Sequence, residues 1–596
     1  MTYTAPIRDL LFALDEVAGF AQLRALPQFA DCDAGTVTAI LEAGGKLAAE
    51  ELAPLNRAGD QIGAQIENGQ VRAVPGFAAA YRALVDGGWC ALASDPAYGG
   101  QGLPKALEIA VFEMIHGANM AFGLCPMLTR GAVEALSEHG TERQKKLYLA
   151  KLISGEWTGT MNLTEPSSGS DLGTLRTRAE TDGEGGYRIT GQKIFITWGD
   201  HDMADNIVHL VLARLPDAPA GNRGISLFLV SKRHVADDGA LGAANTARPV
   251  SLEHKLGIHG SPTCVMQFDG ARAELVGEIN QGLAHMFTMM NAARLQVGTE
   301  GVAIAERAYQ QALAYALERR QGRSAWTGEL SAPIFDHPDI RRSLMLMKAK
   351  IEAARAICLS TAVAADLAAA SPDVTVRSKA QLRAELLTPI AKAWSTDIGV
   401  EVASMGVQIH GGAGFIEETG AAQHYRDARI APIYEGTNGI QAIDLMGRKL
   451  ALENGQAVRD LLGEIWTTIG ALKSSPNAWL HNIGVRLEAA AGAAQTATSW
   501  MVERRGHAQP DALAGATAYL KLLGDLTGGW MLAKGALAAA KRGTEDDADQ
   551  WWQTRIGLAR VFAEQVLAQT PGLAAGVTAG AIDLVKTSAR ALGAAG

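Results

Sequence analysis

The amino-acid sequence predicts a mainly α-helical protein with a β-domain in its middle. Of the 596 residues, 48% are hydrophobic but only 6% are aromatic, a composition that favours helices. Apolar residues recur at helical spacing on both sides of a segment, residues 156–277, that is rich in short β-branched and aromatic runs. A chain of this length needs several hydrophobic cores. We therefore expect four domains, at residues 1–155, 156–277, 278–453 and 454–596.

The first of these domains is predicted to be helical. Apolar residues follow a helical period over Val37–Asn56 and again over Lys105–Leu136. The tetrapeptide Thr141-Glu142-Arg143-Gln144 resembles a helix start with Thr141 as its N-cap. We expect these helices to pack together before the β-domain begins.

The second domain is predicted to be a small antiparallel β-structure. Its strand candidates are short runs separated by clusters of glycine, proline and aspartate. The candidates are Tyr187–Thr197, Ile207–Leu215, Gly224–Lys232 and Cys264–Phe268.

Helical spacing returns from Gly282 onward. It predicts long helices over Leu283–Arg320, Asp339–Ala370 and Lys379–Met405. Residues 454–596 form a further alanine-rich helical region, and no motif in it suggests chemistry.

Composition limits the partners of the chain. The net charge of −9 and the pI of about 5.9 argue against nucleic acid or an anionic membrane as the main partner. The five cysteines are scattered without a CxxC pair, so neither a disulfide framework nor a zinc site is indicated. No apolar run approaches the roughly 18 residues of a membrane span. Charged residues among the first sixteen leave no signal-peptide core, so we expect a cytoplasmic protein.

One carboxylate, Glu435, lies in a connector between two predicted helices. Pro432 and Gly436 interrupt the helical pattern there. Apolar neighbours such as Ile433 and Tyr434 would desolvate the carboxylate and raise its pKa, which suits a proton acceptor. A solvent-exposed loop glutamate is the alternative that this stretch alone leaves open.

Two glycine-rich loops are candidates for cofactor binding. In Met161–Asp171, small residues around Pro166 leave backbone N–H groups and hydroxyls available to an anion or a ring carbonyl. In Gln408–Phe415, the glycines permit close backbone approach to a ligand, although the end of a helix explains them almost as well.

Several short motifs occur in one order across residues 80–450. They are Leu163-Thr164-Glu165-Pro166, Gly169-Ser170-Asp171, Gly191-Gln192-Lys193, Phe195-Ile196-Thr197, Arg294, Glu318-Arg319, Gln408, Gly411-Gly412 and Tyr434-Glu435-Gly436-Thr437. As a set they resemble the acyl-CoA dehydrogenase family. That family has a helical N-terminal domain, a middle β-barrel and a C-terminal four-helix bundle. The extra helical domain after residue 454 resembles the larger subgroup, which includes 3-methylmercaptopropionyl-CoA dehydrogenases and medium- to long-chain enzymes.

The resemblance implies bound FAD and the oxidation of an acyl-CoA to a trans-2-enoyl-CoA. Glu435 would take the α-proton while a hydride leaves the β-carbon for flavin N5. The Glu435 backbone N–H would help to stabilise the enolate. Some branches of the family carry their base immediately before the position of Arg294, but Ala293 stands there in this chain. Glu435 is therefore the candidate base, and an electron-transfer flavoprotein is the expected acceptor.

The other site residues also follow from the resemblance. The residues in contact with the flavin ring would be Met161, Leu163, Thr164, Phe195 and Thr197. Gly169 and Ser170 would contact the pyrophosphate of FAD, and Thr437 would contact its adenosine. The FAD of a neighbouring subunit would contact Arg319, Gln408, Gly411 and Gly412, which implies a homodimer or homotetramer. The acyl-CoA would contact Ser170, Asn291, Arg294, Tyr434 and Gly436. For Arg294, a helix salt bridge is the alternative.

Three alternatives stay open at the level of the sequence. An acyl-CoA oxidase would use the same base but pass electrons to oxygen. A non-catalytic, DNA-associated alkylation-response relative would need a basic face, which the acidic balance of the chain disfavours. The substrate is either 3-methylmercaptopropionyl-CoA or a medium- to long-chain acyl-CoA. Trp198 and the long stretch Gln321–Asp336 depart from the common family pattern and leave the flavin edge and the residues after Arg319 less defined.

Overall fold

The computed structural model describes residues 3–542 and 550–594. The remaining positions of the predicted first and last domains (1–2, 543–549 and 595–596) lie outside the described residues. Within the described ranges the α-helices are α1 Ile7–Phe12, α2 Ala21–Arg24, α3 Ala34–Leu47, α4 Ala53–Ile62, α5 Phe77–Asp86, α6 Lys105–Ala118, α7 Met120–His139, α8 Glu142–Gln144, α9 Ala150–Ser154, α10 Gly282–Glu318, α11 Pro338–Ala370, α12 Val374–His410, α13 Ala421–Ala428, α14 Asn438–Gly447, α15 Gln456–Lys473, α16 Ala478–His507, α17 Gln509–Arg542, α18 Trp551–Gln565, α19 Thr570–Val577 and α20 Ile582–Lys586.

The strands lie almost entirely in the predicted middle segment. They are β1 Gln65–Glu67, β2 Gln70–Arg72, β3 Trp157–Asn162, β4 Arg178–Thr181, β5 Tyr187–Thr197, β6 Asn206–Arg214, β7 Ile225–Ser231, β8 Arg233–Val235, β9 Leu241–Ala244, β10 Ala247–Leu252 and β11 Thr263–Val276. The predicted class, mainly α with a middle β-domain, is therefore confirmed.

The chain forms two compact units. The first comprises Met1–Ile7, Pro27–Gln311 and Gly411–Ile430, and the second comprises Arg8–Leu26, Ala312–His410 and Ala431–Gly596. The finer division into four domains stays a prediction.

Five strands of the first unit pair in a closed ring. Strand β11 pairs with β5, β5 with β4, β4 with β6, β6 with β7, and β7 again with β11, while β3 and β10 extend the sheet at β6 and β11. Closure leaves no free edge within the ring. Its interior is a core of buried apolar side chains that includes Ile189, Val211, Phe228 and Phe268.

The prediction of a purely antiparallel β-domain was wrong. Strand β3 runs parallel to β6, with Trp157 opposite Asn206, and β4 pairs parallel to β6 at Arg178 and Arg214. Strands β4 and β5 intervene in the chain between β3 and β6, so no hairpin forces that pair to be antiparallel. Every residue of β3 is buried, as is typical of a parallel strand that is covered on both faces.

The long helices begin and end close to their predicted positions. Helix α10 begins one residue before the predicted Leu283–Arg320 and ends two residues short of it, at Glu318. Helix α11 covers the predicted Asp339–Ala370. The predicted stretch Lys105–Leu136 is divided into α6 and α7 at Asn119, whose side chain caps α7 by accepting a hydrogen bond from the Phe122 N–H at 3.1 Å.

The cap predicted at Thr141 is confirmed. Its hydroxyl accepts from the Gln144 backbone N–H at 3.2 Å, and the Gln144 side chain accepts from the Thr141 N–H at 2.9 Å. The two bonds satisfy two N–H groups at the start of α8 reciprocally.

Among the described residues, α11 alone is long and apolar enough to cross a membrane. Its most apolar stretch is 72% buried within the protein. The core helix of a large domain meets the same criteria of length and composition.

Candidate active site

Glu435 lies in the second unit, on the connector between α13 and α14. Its backbone adopts the left-handed conformation, with φ of +55°, and Gly436 follows at +85°. A left-handed conformation costs a non-glycine residue about 1–3 kcal/mol, and it persists only where the surrounding structure imposes it. The Glu435 side chain is half-buried. The structure therefore holds this carboxylate in a specific, strained turn rather than on a free loop.

The connector is fixed at the start of α14 by Asn438. The Asn438 amide nitrogen donates to the Ala393 carbonyl at 3.0 Å and to the Asp397 carboxylate at 2.8 Å. Its carbonyl oxygen accepts from the buried Lys392 ammonium at 2.9 Å. Because Ala393, Asp397 and Lys392 all lie on α12, the residues next to Glu435 are held against a long helix.

The Thr437 side chain has a structural role at the start of α14. Its hydroxyl caps α14 by accepting from the Ile440 N–H at 3.2 Å. The Gly436 carbonyl accepts from the Gln441 side chain at 3.2 Å. Tyr434 is half-buried. The proposed contacts of Thr437, Tyr434 and Gly436 with adenosine or acyl-CoA stay predictions.

In the first unit, a buried ion pair fixes the loop that follows β3. The Lys193 ammonium is completely buried and donates to the Leu163 carbonyl at 2.9 Å and to the Glu165 carboxylate at 2.8 Å. The same carboxylate accepts from the backbone N–H groups of Arg176 at 2.6 Å and Thr177 at 3.0 Å. All four contacts are charge-assisted and shielded from water, so they hold the loop backbone in one conformation.

The pKa values of this pair reflect its burial. Burial lowers the pKa of Lys193 to about 8, against the opposing effect of Glu165. Burial alone would raise the pKa of Glu165, but Lys193 and the backbone N–H donors hold it below its usual value. Glu165 therefore acts as a structural carboxylate rather than as a proton acceptor for a ligand.

A β-bulge presents Phe195 beside this loop. On β5, Ile194 and Phe195 both lie opposite the single residue Val265 of β11, so β5 carries one extra residue. The bulge gives Phe195 a φ of +61° and leaves its ring 58% exposed. The Ile194 N–H donates to the Thr164 carbonyl at 2.9 Å. The structure therefore brings Thr164 and Phe195, both predicted to contact the flavin, to one side of the β-domain.

The other predicted flavin contacts lie on β3, on the loop that follows it and on β5. Leu163 and Thr197 are half-buried, and Met161 is buried within β3 opposite Leu210. Gly169 and Ser170 are exposed, and a Cβ placed at Gly169 would meet no atom within 4 Å.

Arg294 and Asn291 lie one turn apart on α10. The Arg294 guanidinium is buried, donates to the Asn291 carbonyl oxygen at 3.3 Å and lies 5.7 Å from the Phe287 ring centre. Asn291 is exposed. The binding of these two side chains to CoA stays a prediction.

The four residues predicted to reach a neighbouring subunit's FAD are all exposed. Arg319 donates to the Gln321 side chain at 3.1 Å, and Gln408 lies near the end of α12. Gly411 has a φ of +59°, whereas Gly412 lies outside the left-handed region. A Cβ at either glycine would meet nothing within 4 Å.

Trp198 is part of the buried core. It is only 1% exposed, and its indole N–H donates to the Ala121 carbonyl at 3.2 Å. Lys193 and Asn438 are the two residues whose roles the sequence does not reveal. Each acts through partners far away in the chain, which the local sequence does not identify.

Four family models match almost the whole chain. They are the acyl-CoA dehydrogenase N-terminal domain at residues 34–156, the middle domain at 160–271, the C-terminal domain at 280–451 and an acetyl-CoA dehydrogenase C-terminal-like domain at 461–588. The chain is also 47% identical to the 3-methylmercaptopropionyl-CoA dehydrogenase of Ruegeria pomeroyi, over 96% of this chain and 97% of that protein. The chain belongs to the acyl-CoA dehydrogenase family.

Two further members of the acyl-CoA dehydrogenase family share its length. A broad-specificity linear acyl-CoA dehydrogenase of Mycobacterium tuberculosis is 34% identical over 95% of both chains. The structure of an acyl-CoA dehydrogenase from Bacillus anthracis complexed with FAD covers 97% of this chain and 92% of its own, with a TM-score of 0.74 and 22% identity, which supports the fold.

Acyl-CoA dehydrogenases are flavin-dependent oxidoreductases that use FAD. The residues present fit this group. Exposed Phe195 offers an aromatic face, the Leu163–Glu165 backbone is rigidly held, and Gly169, Gly411 and Gly412 leave open space that a larger side chain would fill.

Proposed function

We propose that this dehydrogenase converts an acyl-CoA to its trans-2-enoyl-CoA with Glu435 as the catalytic base. The observation that carries the proposal is the strained, anchored connector that fixes the Glu435 carboxylate. The other position at which the family carries a base holds Ala293, which cannot accept a proton.

Glu435 has two roles in this proposal. Its carboxylate takes the α-proton, and the electrons of that C–H bond form the Cα=Cβ bond as a hydride leaves Cβ. Its backbone N–H donates a hydrogen bond to the thioester oxygen, on which negative charge develops. FAD, when bound, supplies the acceptor for the hydride at N5.

The proposed substrate is 3-methylmercaptopropionyl-CoA. Its support is the 47% identity to the Ruegeria pomeroyi enzyme of that name over nearly all of both chains. A medium- to long-chain acyl-CoA is the second candidate, because a full-length relative is named a broad-specificity linear acyl-CoA dehydrogenase. A panel of acyl-CoA thioesters, assayed by kcat/KM, ranks the two. The proposed physiological acceptor is an electron-transfer flavoprotein, and oxygen uptake in the same assays tests the oxidase alternative.

The variant Glu435→Gln tests the base. We expect kcat with an artificial electron acceptor to fall by about 10²–10⁴-fold, which is the usual contribution of a general base. FAD content, measured by visible absorbance, should match wild type because the amide keeps the size and polarity of the side chain.

Glu453→Gln is a matched control. Glu453 is an exposed glutamate of the second unit that shares the left-handed backbone of Glu435, at φ of +45°. The control should keep wild-type turnover. Normal turnover by Glu435→Gln would refute the assignment of the base, whereas an equal loss in both variants would attribute the effect to backbone strain.

A further inference from the structure

The second unit contains a cavity that shares no residue with the predicted active site. Its volume is about 620 Å³, within the range of small-molecule sites, roughly 300–1,000 Å³. The walls come from the segment after α1, near Gly19 and Gln22, and from α11, α12, α15 and α17.

Cationic side chains predominate in this cavity. Lys379, Arg383, Arg459 and Lys534 line it, against the two carboxylates Asp460 and Glu464. The lining therefore has a net charge of +2 (four cations less two carboxylates), in a chain whose net charge is −9. Such a local excess attracts an anion.

Among the residues that the structure describes, one of the four cations pairs with a carboxylate. Arg383 pairs with Glu464 at 2.6 Å. Arg459 donates to the Asn454 carbonyl at 2.8 Å and to the Gln456 side chain at 2.9 Å. Within residues 3–542 and 550–594, no carboxylate lies within 4 Å of the side-chain nitrogens of Lys379, Arg459 or Lys534.

Lys534 is a half-buried cation of this cavity. Its ammonium donates to the Val17 carbonyl and lies 5.1 Å from the ring centre of Trp530. Burial lowers the pKa of Lys534, Arg383 adds to this effect, and Glu464 opposes it. An anion beside the amine would offset the cost of desolvating its charge.

Most of the remaining lining is apolar, with Gln22, Ser360 and Thr467 as its uncharged polar side chains. Val363, Leu367, Leu387, Met531 and Trp530 face the same cavity. These side chains are already largely buried by the protein. An aliphatic chain in the cavity would add van der Waals contacts with them that a purely ionic ligand would not make.

We propose that this cavity binds an aliphatic carboxylate, with its carboxylate near Lys379 and Lys534 and its chain against Val363, Leu367 and Met531. Because the walls belong to five separate segments, a ligand would bind only the folded unit and stabilise it.

The test uses the FAD-loaded enzyme and octanoate as the probe. Isothermal titration should show saturable binding, and the thermal midpoint of unfolding should rise with octanoate concentration. Inorganic phosphate and 1-octanol, which carry only a charge or only a chain, should each bind more weakly than octanoate. Equal affinity for phosphate or for octanol would overturn the proposed combination of contacts.

Two variants locate the binding. Lys379→Glu reverses an exposed charge that makes no described hydrogen bond, and Lys534→Met removes a charge at similar length. Each should weaken octanoate binding about tenfold, as expected for a charged hydrogen bond, and abolish most of the thermal shift. Lys586→Glu, the same charge change at an exposed position away from the cavity, should bind octanoate as wild type does.

Acyl-CoA turnover separates this cavity from the proposed active site. Lys379→Glu should leave kcat and KM for acyl-CoA unchanged, because Lys379 is not among the proposed catalytic residues. Octanoate affinity that is the same in Lys379→Glu and wild type, or no saturable binding to wild type, would overturn the proposal.

Discussion

At the scale of single residues, Asp427 is a carboxyl group whose pKa is shifted by its surroundings. It is fully buried in the first unit, where its carboxylate accepts from the Ile258 N–H at 2.5 Å and from the Gln423 amide at 3.3 Å. Burial raises its pKa to about 6, and the charge of Asp60 adds to this, against the hydrogen bonds and Arg426. The same contact holds Ile258 in a left-handed conformation, at φ of +48°.

This shift predicts a pH dependence of stability. The folded state keeps the proton of Asp427 up to about pH 6, whereas the unfolded chain releases it near 3.8. Between these values the folded state binds more protons, so the contribution of Asp427 to the free energy of unfolding falls as pH rises, by roughly 3 kcal/mol in all. Asp427→Asn keeps an acceptor for Ile258 but does not titrate. The thermal midpoint of the variant, relative to that of wild type, should therefore rise as the pH is increased from 4.5 to 7.

The comparison is internally controlled, because both proteins share every other titrating group. Asp200 is a second buried aspartate of the first unit that accepts a backbone N–H bond, from Val71 at 2.9 Å. Asp200→Asn is the control for replacing a buried carboxylate of this kind, here one that pairs with Lys232. A constant difference between Asp427→Asn and wild type across this pH range would contradict the prediction.

At the scale of elements, the sequence predicts a helix, strand or turn when neighbouring residues determine its conformation, and does not when distant residues determine it. The bounds of β5, Tyr187–Thr197, agree with prediction because alternating β-branched and aromatic residues specify a strand locally. The left-handed turns at Phe195 and Glu435 could not be predicted, because neither residue type favours that conformation. They are imposed by tertiary contacts. Lys193 and Asn438 reach acceptors 28 and 45 residues away in the chain, which no periodic pattern reveals.

The connector that carries Glu435 should depend on Asn438. Asn438→Ala would remove the hydrogen bonds that the Asn438 amide donates to Ala393, Thr396 and Asp397 on α12, and one acceptor of Lys392, at a cost of about 1–3 kcal/mol in stability. We expect kcat to fall at least about tenfold, because small displacements of a catalytic group are costly. KM for acyl-CoA and FAD content should change by less than about twofold, since the bonds hold the base rather than the ligands.

Asn222→Ala is the control for this prediction. Asn222 is exposed in the first unit, and its side chain makes no hydrogen bond among the described residues. If Asn438→Ala lost FAD or raised KM in proportion to its loss of kcat, general unfolding would explain the result and the positioning role would be rejected.

At the scale of the whole molecule, the fold class and the family could be predicted from the sequence, whereas the pairing of strands could not. Helical period, strand composition and the order of the motifs are properties of the linear sequence. The parallel pairing of β3 with β6 depends on how the intervening chain returns across the sheet. The residue roles inferred from the family stay predictions, because ligand contacts are not determined by the conformation of one chain.

Gly412 allows one such role to be tested. A Cβ at this position meets no atom within 4 Å and the backbone lies outside the left-handed region, so Gly412→Ala should leave the folded chain undisturbed. If the backbone there approaches the FAD of a neighbouring subunit, as proposed, the added methyl group should weaken FAD binding about tenfold, because overpacking costs about 1–3 kcal/mol. Gly572→Ala, at another open glycine, should bind FAD as wild type does. Titration of each apoprotein with FAD, together with sedimentation velocity, provides the measurement.

Wild-type FAD affinity in a Gly412→Ala oligomer would exclude a close contact at this glycine, and a monomeric wild-type holoenzyme would exclude a shared site altogether.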